Sequence, residues 1–532
     1  MFTFNKNTNF ISEIKSVPVQ NAIAILERDR DRVFANTTKP GGNVLLVQKS
    51  MARSIPESEE SETLRRREHY LTEERFKINI SKDKIVIYAQ NDLGFIYGLL
   101  YLSERYLGIR PFWFFMDRVV EQKKKIQIPE EVIASRDSAV LFRGWHFSDA
   151  VFLSGWEYNK EEKRGWNMCL EALLRCGANT LTFDNEELTA EVEEVAKQYG
   201  IYTSQTGECG EAAFRYNLQG TNHVTMLPAK VEEVIAELNH ALEEGKDGFW
   251  AIRCSNVRPH IYFLDAIRKF WQGEELDGEM HAEAFVGEYF PDGEEQEEIA
   301  ALYLEYPQVM MRLAESGNSV GELYYTENVR MFCHQILVDK NSPAKGLCKI
   351  EQIGSLTAQI QEFQEACRQQ KEELEKLCVA CTVTENGSPQ KALISSTIGL
   401  HIKLHQTCRR ASRVFVRGYE SLLEGDYERA FLRFGDSAVW FDKGVALLRG
   451  AEYGIWKDFY SNDCIADIKH TAYMVRKVMG IARELGDNPK HDSWYQKYCV
   501  SPEEQEAKSI CPAETHKTDF ELYEAMKKRV VR

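Results

Sequence analysis

The sequence predicts a multidomain α/β chain: an amino-terminal α+β domain (1–135), an incomplete TIM-type (β/α) barrel (136–275), a helical bundle (276–486) and a carboxyl-terminal tail (487–532). Three observations carry this. The 532 residues exceed the roughly 250–300 at which a single core stops growing. The apolar pattern changes twice, to short apolar runs separated by amphipathic helices near Val140, and to almost unbroken helical periodicity after about His281. Finally, Val140 to Trp271 spans about 130 residues with five strand-like runs, whereas a complete eightfold barrel typically uses about 250 residues.

In the first domain, strands are expected at Val44–Val47, Phe76–Ile80 and Lys84–Ala89. A helix then starts at the capping pair Asn91-Asp92, continues through Leu93, Ile96, Tyr97, Leu100 and Leu107, and stops at Gly108. The charged SIPESEESETLRRREHY segment reads as a solvated loop or surface helix. In the second region the expected strands are Val140–Phe147, Thr180–Phe183, Ile201–Ser204, His223–Met226 and Phe249–Cys254. Helices are expected at Trp166–Cys176, Leu188–Tyr199 and Ala229–Glu244. Beyond these, Ile350–Cys378 and Ser395–Leu423 read as long helices without proline, and the tail ends in a short basic helix.

Hydrophobic residues at 43% and charged residues at 28% describe a chain able to build packed cores. A formal net charge of -16 without a basic stripe argues against nucleic acid as the main partner. No apolar run approaches the roughly 20 residues of a membrane span, and Met1–Phe10 lacks a secretory apolar core. The 13 cysteines follow no disulfide framework, which suggests reduced thiols and a cytoplasmic setting. Cys378 and Cys381 have CxxC spacing but lie in a helical pattern with no second ligand pair, so they read as small core residues. No metal, nucleotide or flavin motif is present, and no cofactor is expected.

Three stretches carry a family resemblance: DLGFIYGLLYLSERYLGIRPFWFF (Asp92–Phe115); FRGWHFSD (Phe142–Asp149) followed by Gly155-Trp156; and the pair YNLQGTNHVTMLP (Tyr216–Pro228) and FWAIRCSNVRPHIYFLD (Phe249–Asp265). Their order and positions resemble glycoside hydrolase family 115, the xylan alpha-glucuronidases. The resemblance implies an inverting glycosidase that removes glucuronic acid or its 4-O-methyl ether from glucuronoxylan oligosaccharides. Inversion needs one carboxylic acid to protonate the leaving oxygen and one carboxylate to activate water. Where the family's first strand ends in Asn-Asp-Glu, this chain has Ser148, Asp149 and Ala150, which leaves Asp149 as a catalytic candidate or a turn cap. Only about 20 residues separate Tyr202 from Asn222, where the family places its middle strands. Glu208 and Glu211 in that interval are replacement acids or ordinary helix-start charges.

Asn222, His223, Asn256, Arg258 and His260 could bind sugar hydroxyls or a uronate carboxylate, with Arg258 as a bidentate fork, or could satisfy loop backbone and core positions. Trp145 and Trp156 could stack on a sugar ring or belong to the core, and Trp250 poses the same choice. Two functions follow. One is an alpha-glucuronidase-type hydrolase using Asp149 with Glu208 or Glu211. The other is a non-catalytic descendant that keeps a carbohydrate groove, whose open sheet edges predict homo-oligomerisation or cover from the helices.

Overall fold

Burial alternates from residue to residue along most strands of the amino-terminal part, as a pleated strand with one covered face requires. They are β1 (Phe2–Phe4), β2 (Asn9–Ser12), β3 (Asn43–Gln48), β4 (Phe76–Ile80), β5 (Lys84–Ala89), β6 (Ile126–Ile128) and β7 (Glu131–Ala134). In the computed structural model β1 and β6 pair antiparallel. The others form a mixed sheet ordered β2-β3-β5-β4-β7, parallel from β2 to β5 and antiparallel beyond. The structure describes all residues except 55–60, 148–152, 154, 184–185, 206–212, 219–223, 255, 291–292, 311–320, 462, 464, 502, 504–516 and 531–532. The helix opened by Asn91-Asp92 covers Asp92–Leu102, and after a wider turn at Ser103–Leu107 it is closed by Gly108 at φ 74°. The charged segment supplies the surface helix Ser61–Glu74.

The second sheet contains β8 (Phe142–Phe147), β9 (Thr180–Phe183), β10 (Tyr202–Gln205), β11 (Phe214–Asn217) and β12 (Phe249–Arg253), all parallel, in the order β10-β9-β8-β12-β11. Each short connection, β8 to β9, β9 to β10 and β11 to β12, steps the same way along the sheet. Right-handed crossovers therefore place the helices Arg164–Arg175, Glu186–Tyr199 and Val231–Glu243 on one face. Phe147 meets Trp166 (5.2 Å between ring centroids) and Trp250 stacks on Phe270 of the helix Ile261–Trp271 (5.9 Å) on that face. Gly144 is required where β8 meets β9, because a Cβ there would lie 1.6 Å from the Thr180 carbonyl oxygen. Gly144→Ala is expected to cost roughly 2–3 kcal/mol by forcing the strands apart, measurable as a lower urea midpoint.

One expected strand is corrected. Val224–Met226 forms no strand, and the fourth strand is Phe214–Asn217. The apolar side chains of Val224, Met226 and Leu227 are buried, but the backbone is committed elsewhere, with the Met226 carbonyl accepting from Tyr306 Oη at 2.9 Å. The long helices are also interrupted. Ile350–Cys378 divides into Leu356–Ala366 and Lys371–Gly387, with Gln370 at φ 54° between them, and Thr397 separates Lys391–Ser396 from Ile398–Glu424. The helices Tyr427–Gly450 and Ile468–Gly486 pack along Ile398–Glu424 and each other. The tail helix Asp519–Val530 docks on Tyr427–Gly450, where Tyr523 donates to Asp436 at 2.5 Å. Among the described residues no helix is long and apolar enough to cross a membrane, and every cysteine is a free thiol.

The two sheets are joined through buried charge. The helix Val17–Val33 lies against Glu186–Tyr199. Beside them Arg175 reaches Asp29 and, at 2.9 Å, Glu171. Arg28 grips the same Glu171 with two contacts of 2.7 Å, and Ser103 donates to Asp29 at 2.6 Å. Asp29, Glu171 and Arg175 are all buried.

Candidate functional site at the carboxyl end of the parallel sheet

Strand register aligns five polar residues in one row across the second sheet: Ser204, Thr182, His146, Arg253 and Asn217. Side chains alternate faces along a strand. This row therefore looks away from the face on which Trp145, Phe147, Leu181 and Phe183 are buried. His146 Nδ1 and Thr182 Oγ1 are 2.9 Å apart. Each row residue is the last or next to last of its strand, at the carboxyl end, where parallel α/β sheets assemble ligand sites from their loops. His146 and Thr182 are buried and Ser204, Arg253 and Asn217 half-buried. An imidazole, hydroxyls, an amide and a guanidinium are group types that exchange hydrogen bonds with sugar hydroxyls and pair with a carboxylate. None of these five stood out in the sequence. The available signal was the polar alternation in TLTF, YTSQ and FRYN.

Asp149, Glu208, Glu211, Asn222 and His223 lie outside the described residues. In the chain Asp149 follows β8 by two residues, Glu208 and Glu211 follow β10, and Asn222 and His223 follow β11. Asn256, Arg258 and His260 are described, buried, and follow β12. Between them Val257 adopts φ 48°, ψ −59°, and the Arg258 N–H donates to the Asn256 carbonyl, a tight three-residue turn. Such a conformation is unfavourable for a β-branched residue and persists only where the surroundings impose it. Arg258 does so: it donates to the Ala451 carbonyl (3.3 Å), Asp117 (3.2 Å) and Ser396 (3.1 Å), with its guanidinium 3.9 Å from the Trp456 ring centre. Asp117 also accepts from Tyr453 (2.7 Å) and Trp456 (2.9 Å).

Trp145 is buried and stacks on Phe112 at 6.2 Å. Trp156 is also buried, stacks on Trp456 at 5.2 Å and donates to the Ile455 carbonyl at 2.6 Å. Trp250 packs with the helix face. Trp156 and Arg258 thus fasten residues 451–456, between two bundle helices, to the chain that follows β8 and β12, whereas Trp145 and Trp250 belong to the packing of the sheet itself.

A second fastening engages Thr225, in the chain that follows β11. Glu322, the first residue of the helix Glu322–Asp339, is wholly buried, accepts from Thr225, and lies 3.6 Å from His405 Nδ1. Burial alone would raise its pKa, but hydrogen bonding and attraction from His405, with Thr225 assisting, hold it below the usual carboxylate range. Burial pushes His401 down to about 4, so this imidazole is neutral near pH 7. Asp463, in the same bundle region, is pushed up to about 6 by desolvation and by Asp467. Glu322 and Asp117 were missed in the sequence because their partners come from distant segments.

Among the described residues no group of three His, Cys, Asp or Glu is arranged to hold a metal ion. Cys378 and Cys381 are buried, and burial pushes both thiols up to about 12.

No family model matches the chain, and no curated protein matches it. Among solved structures it is similar to a family GH115 4-O-methyl-alpha-glucuronidase with specificity for decorated arabinogalactans. The identity is 11% and the TM-score 0.56, over 86% of this chain and 78% of the other. A GH138 enzyme targeting pectin rhamnogalacturonan II aligns at 10% identity and TM-score 0.44, over 90% of this chain and 80% of the other. CpGH84D aligns at 9% and 0.36, over 90% and 96%. Only the first likeness is close enough to bear on architecture, and it shows that this chain has a glycoside hydrolase-like fold.

Proposed function

We propose that the protein acts on uronic acid-bearing oligosaccharides of the glucuronoxylan type, at the carboxyl end of its parallel sheet, as an alpha-glucuronidase-type hydrolase. The observation that carries this reading is the row Ser204-Thr182-His146-Arg253-Asn217 on the face opposite the helices. The strand order supports the barrel relationship: β8, β9 and β10 run outward on one side while β12 and β11 lie on the other. A closed barrel with its middle strands removed would have that order, with its first and last strands adjacent. In this reading Arg253 pairs with the uronate carboxylate, and His146 and Asn217 bind ring hydroxyls. Asp149 and either Glu208 or Glu211 form the inverting pair, with a spacing of about 6.5–9.5 Å that admits a water.

A second reading is a non-catalytic glycan-binding protein. It is favoured by the described carboxylates: Glu322 and Asp117 are both occupied by neighbouring side chains.

The test is release of uronic acid from aldouronic acids by the purified protein, with calorimetric binding of the same oligosaccharides to the parent and to Arg253→Ala. Release that Asp149→Ala reduces by at least 100-fold is the expected result. Binding without release, weakened in Arg253→Ala, would establish the second reading. Neither release nor binding at millimolar oligosaccharide would overturn both.

A further inference from the structure

Far from the row of polar residues in sequence, the helical region contains a hollow of about 270 Å³ between the helices Lys371–Gly387, Ile398–Glu424 and Tyr427–Gly450. Its charge runs against that of the chain. Lys371, Arg409, Arg410 and Arg413 line it with a single carboxylate, Glu375, in a protein whose formal net charge is -16. Glu375 lies 3.4 Å from Arg410 and 4.0 Å from Lys371. Arg413 makes no ion pair among the described residues, and burial and the neighbouring guanidinium groups lower its pKa.

Arg409 is buried. Its Nε donates to the Cys367 carbonyl at 2.9 Å, while its Nη2 is buried with no hydrogen-bond partner among the described residues. An uncompensated buried guanidinium is costly unless an anion completes it. Trp440 forms a further wall, with Arg410 5.2 Å and Lys443 3.8 Å from its ring centre.

We propose that this hollow is a binding site, separate from the sheet site, for a tetrahedral oxyanion ester of a sugar, with the phosphate or sulfate among Arg409, Arg410, Arg413 and Lys371 and the sugar ring against Trp440. A single carboxylate matches the site less well, because four cations facing one acid call for an acceptor that is reached from several directions. Guanidinium forks supply such contacts to phosphate and sulfate oxygens. The volume suits one substituted monosaccharide rather than a polymer segment.

The experiment is titration calorimetry on the full chain at constant ionic strength, with inorganic phosphate, inorganic sulfate, glucose 6-phosphate and glucose as probes. Phosphate is expected to bind, glucose 6-phosphate to bind at least tenfold more tightly, and glucose not to bind. Arg413→Ala and, separately, Lys371→Ala are expected to weaken glucose 6-phosphate binding at least tenfold at an unchanged urea midpoint. Trp440→Ala is expected to remove the advantage of the sugar ester over the free ion. Tighter binding of sulfate than phosphate would keep the site and assign it to sulfate esters. Binding of neither oxyanion above a chloride control, or affinities unchanged in both cation variants, would overturn the proposal.

Discussion

Arg175→Ala is expected to lower the stability of the protein by about 3–5 kcal/mol, the range for removing one partner of a buried ion pair. Arg175 serves two carboxylates from different segments, Asp29 in the first domain and Glu171 on its own helix, and its Nη1 also donates to Ser103 (3.2 Å) and the Ile109 carbonyl (3.3 Å). With it gone, two buried carboxylates are left to Arg28, which is partly exposed. Glu171 is held down to about 2: burial raises it, and Arg175 and Arg28 outweigh burial. The measurement is urea unfolding, where the midpoint should fall at constant slope. A loss below about 1 kcal/mol would show that the domains are held by their apolar contacts instead. Asp29→Asn combined with Arg175→Met should recover part of the loss, because the pair is then replaced and not broken.

Acid is expected to weaken the fold first through histidine. Burial pushes His281 and His401 down to about 4, against about 6.5 in an unfolded chain. Between those values the unfolded state binds the extra protons, so stability falls as the pH drops from about 6.5 to 4. Each histidine accounts for a loss of the order of 3 kcal/mol at about 1.4 kcal/mol per pKa unit. Asp463 works in the opposite sense. Its folded pKa of about 6 lies above the ordinary 3.8, so the folded state binds its proton first and gains stability as the pH falls through that interval. Two histidines against one aspartate leave a net loss. Unfolding free energies at pH 7, 5.5 and 4.5 check this, and His281→Gln should flatten the dependence. A midpoint independent of pH over that range would contradict the assignment of both imidazoles as buried and neutral.

The sequence revealed those elements whose own side chains specify them. β3 and β4 show period-two burial and β5 is an almost continuous apolar run, and Asn91-Asp92 and Gly108 bracket a helix by their backbone preferences alone. What it hid depended on distant partners. VTML looked like a strand, but its backbone and Thr225 are engaged by Tyr306 and Glu322. FRYN is not among the expected strands, yet it pairs with β12 and its Arg215 and Asn217 occupy the face opposite the helices. The break before Lys371 contains neither glycine nor proline, so local propensity gave no warning. In the candidate site, the loops after β8, β10 and β12 could be located from the sequence, while the one after β11 could not because that strand was not expected. The row itself could not, because its members become neighbours only through a register that joins five separate segments.

That register also has a bearing on how the chain is made. As synthesis proceeds, β8, β9 and β10 can associate once Gln205 is available, but the neighbour on the other side of β8 is β12, which begins only at Phe249. Until then the middle strand of the finished sheet is a raw edge, and non-local strand pairing of this kind is slow and prone to aggregation. Recovery from denaturant should therefore be sensitive to protein concentration, and a chaperone that shields that edge would be of most use during the interval before β12 emerges.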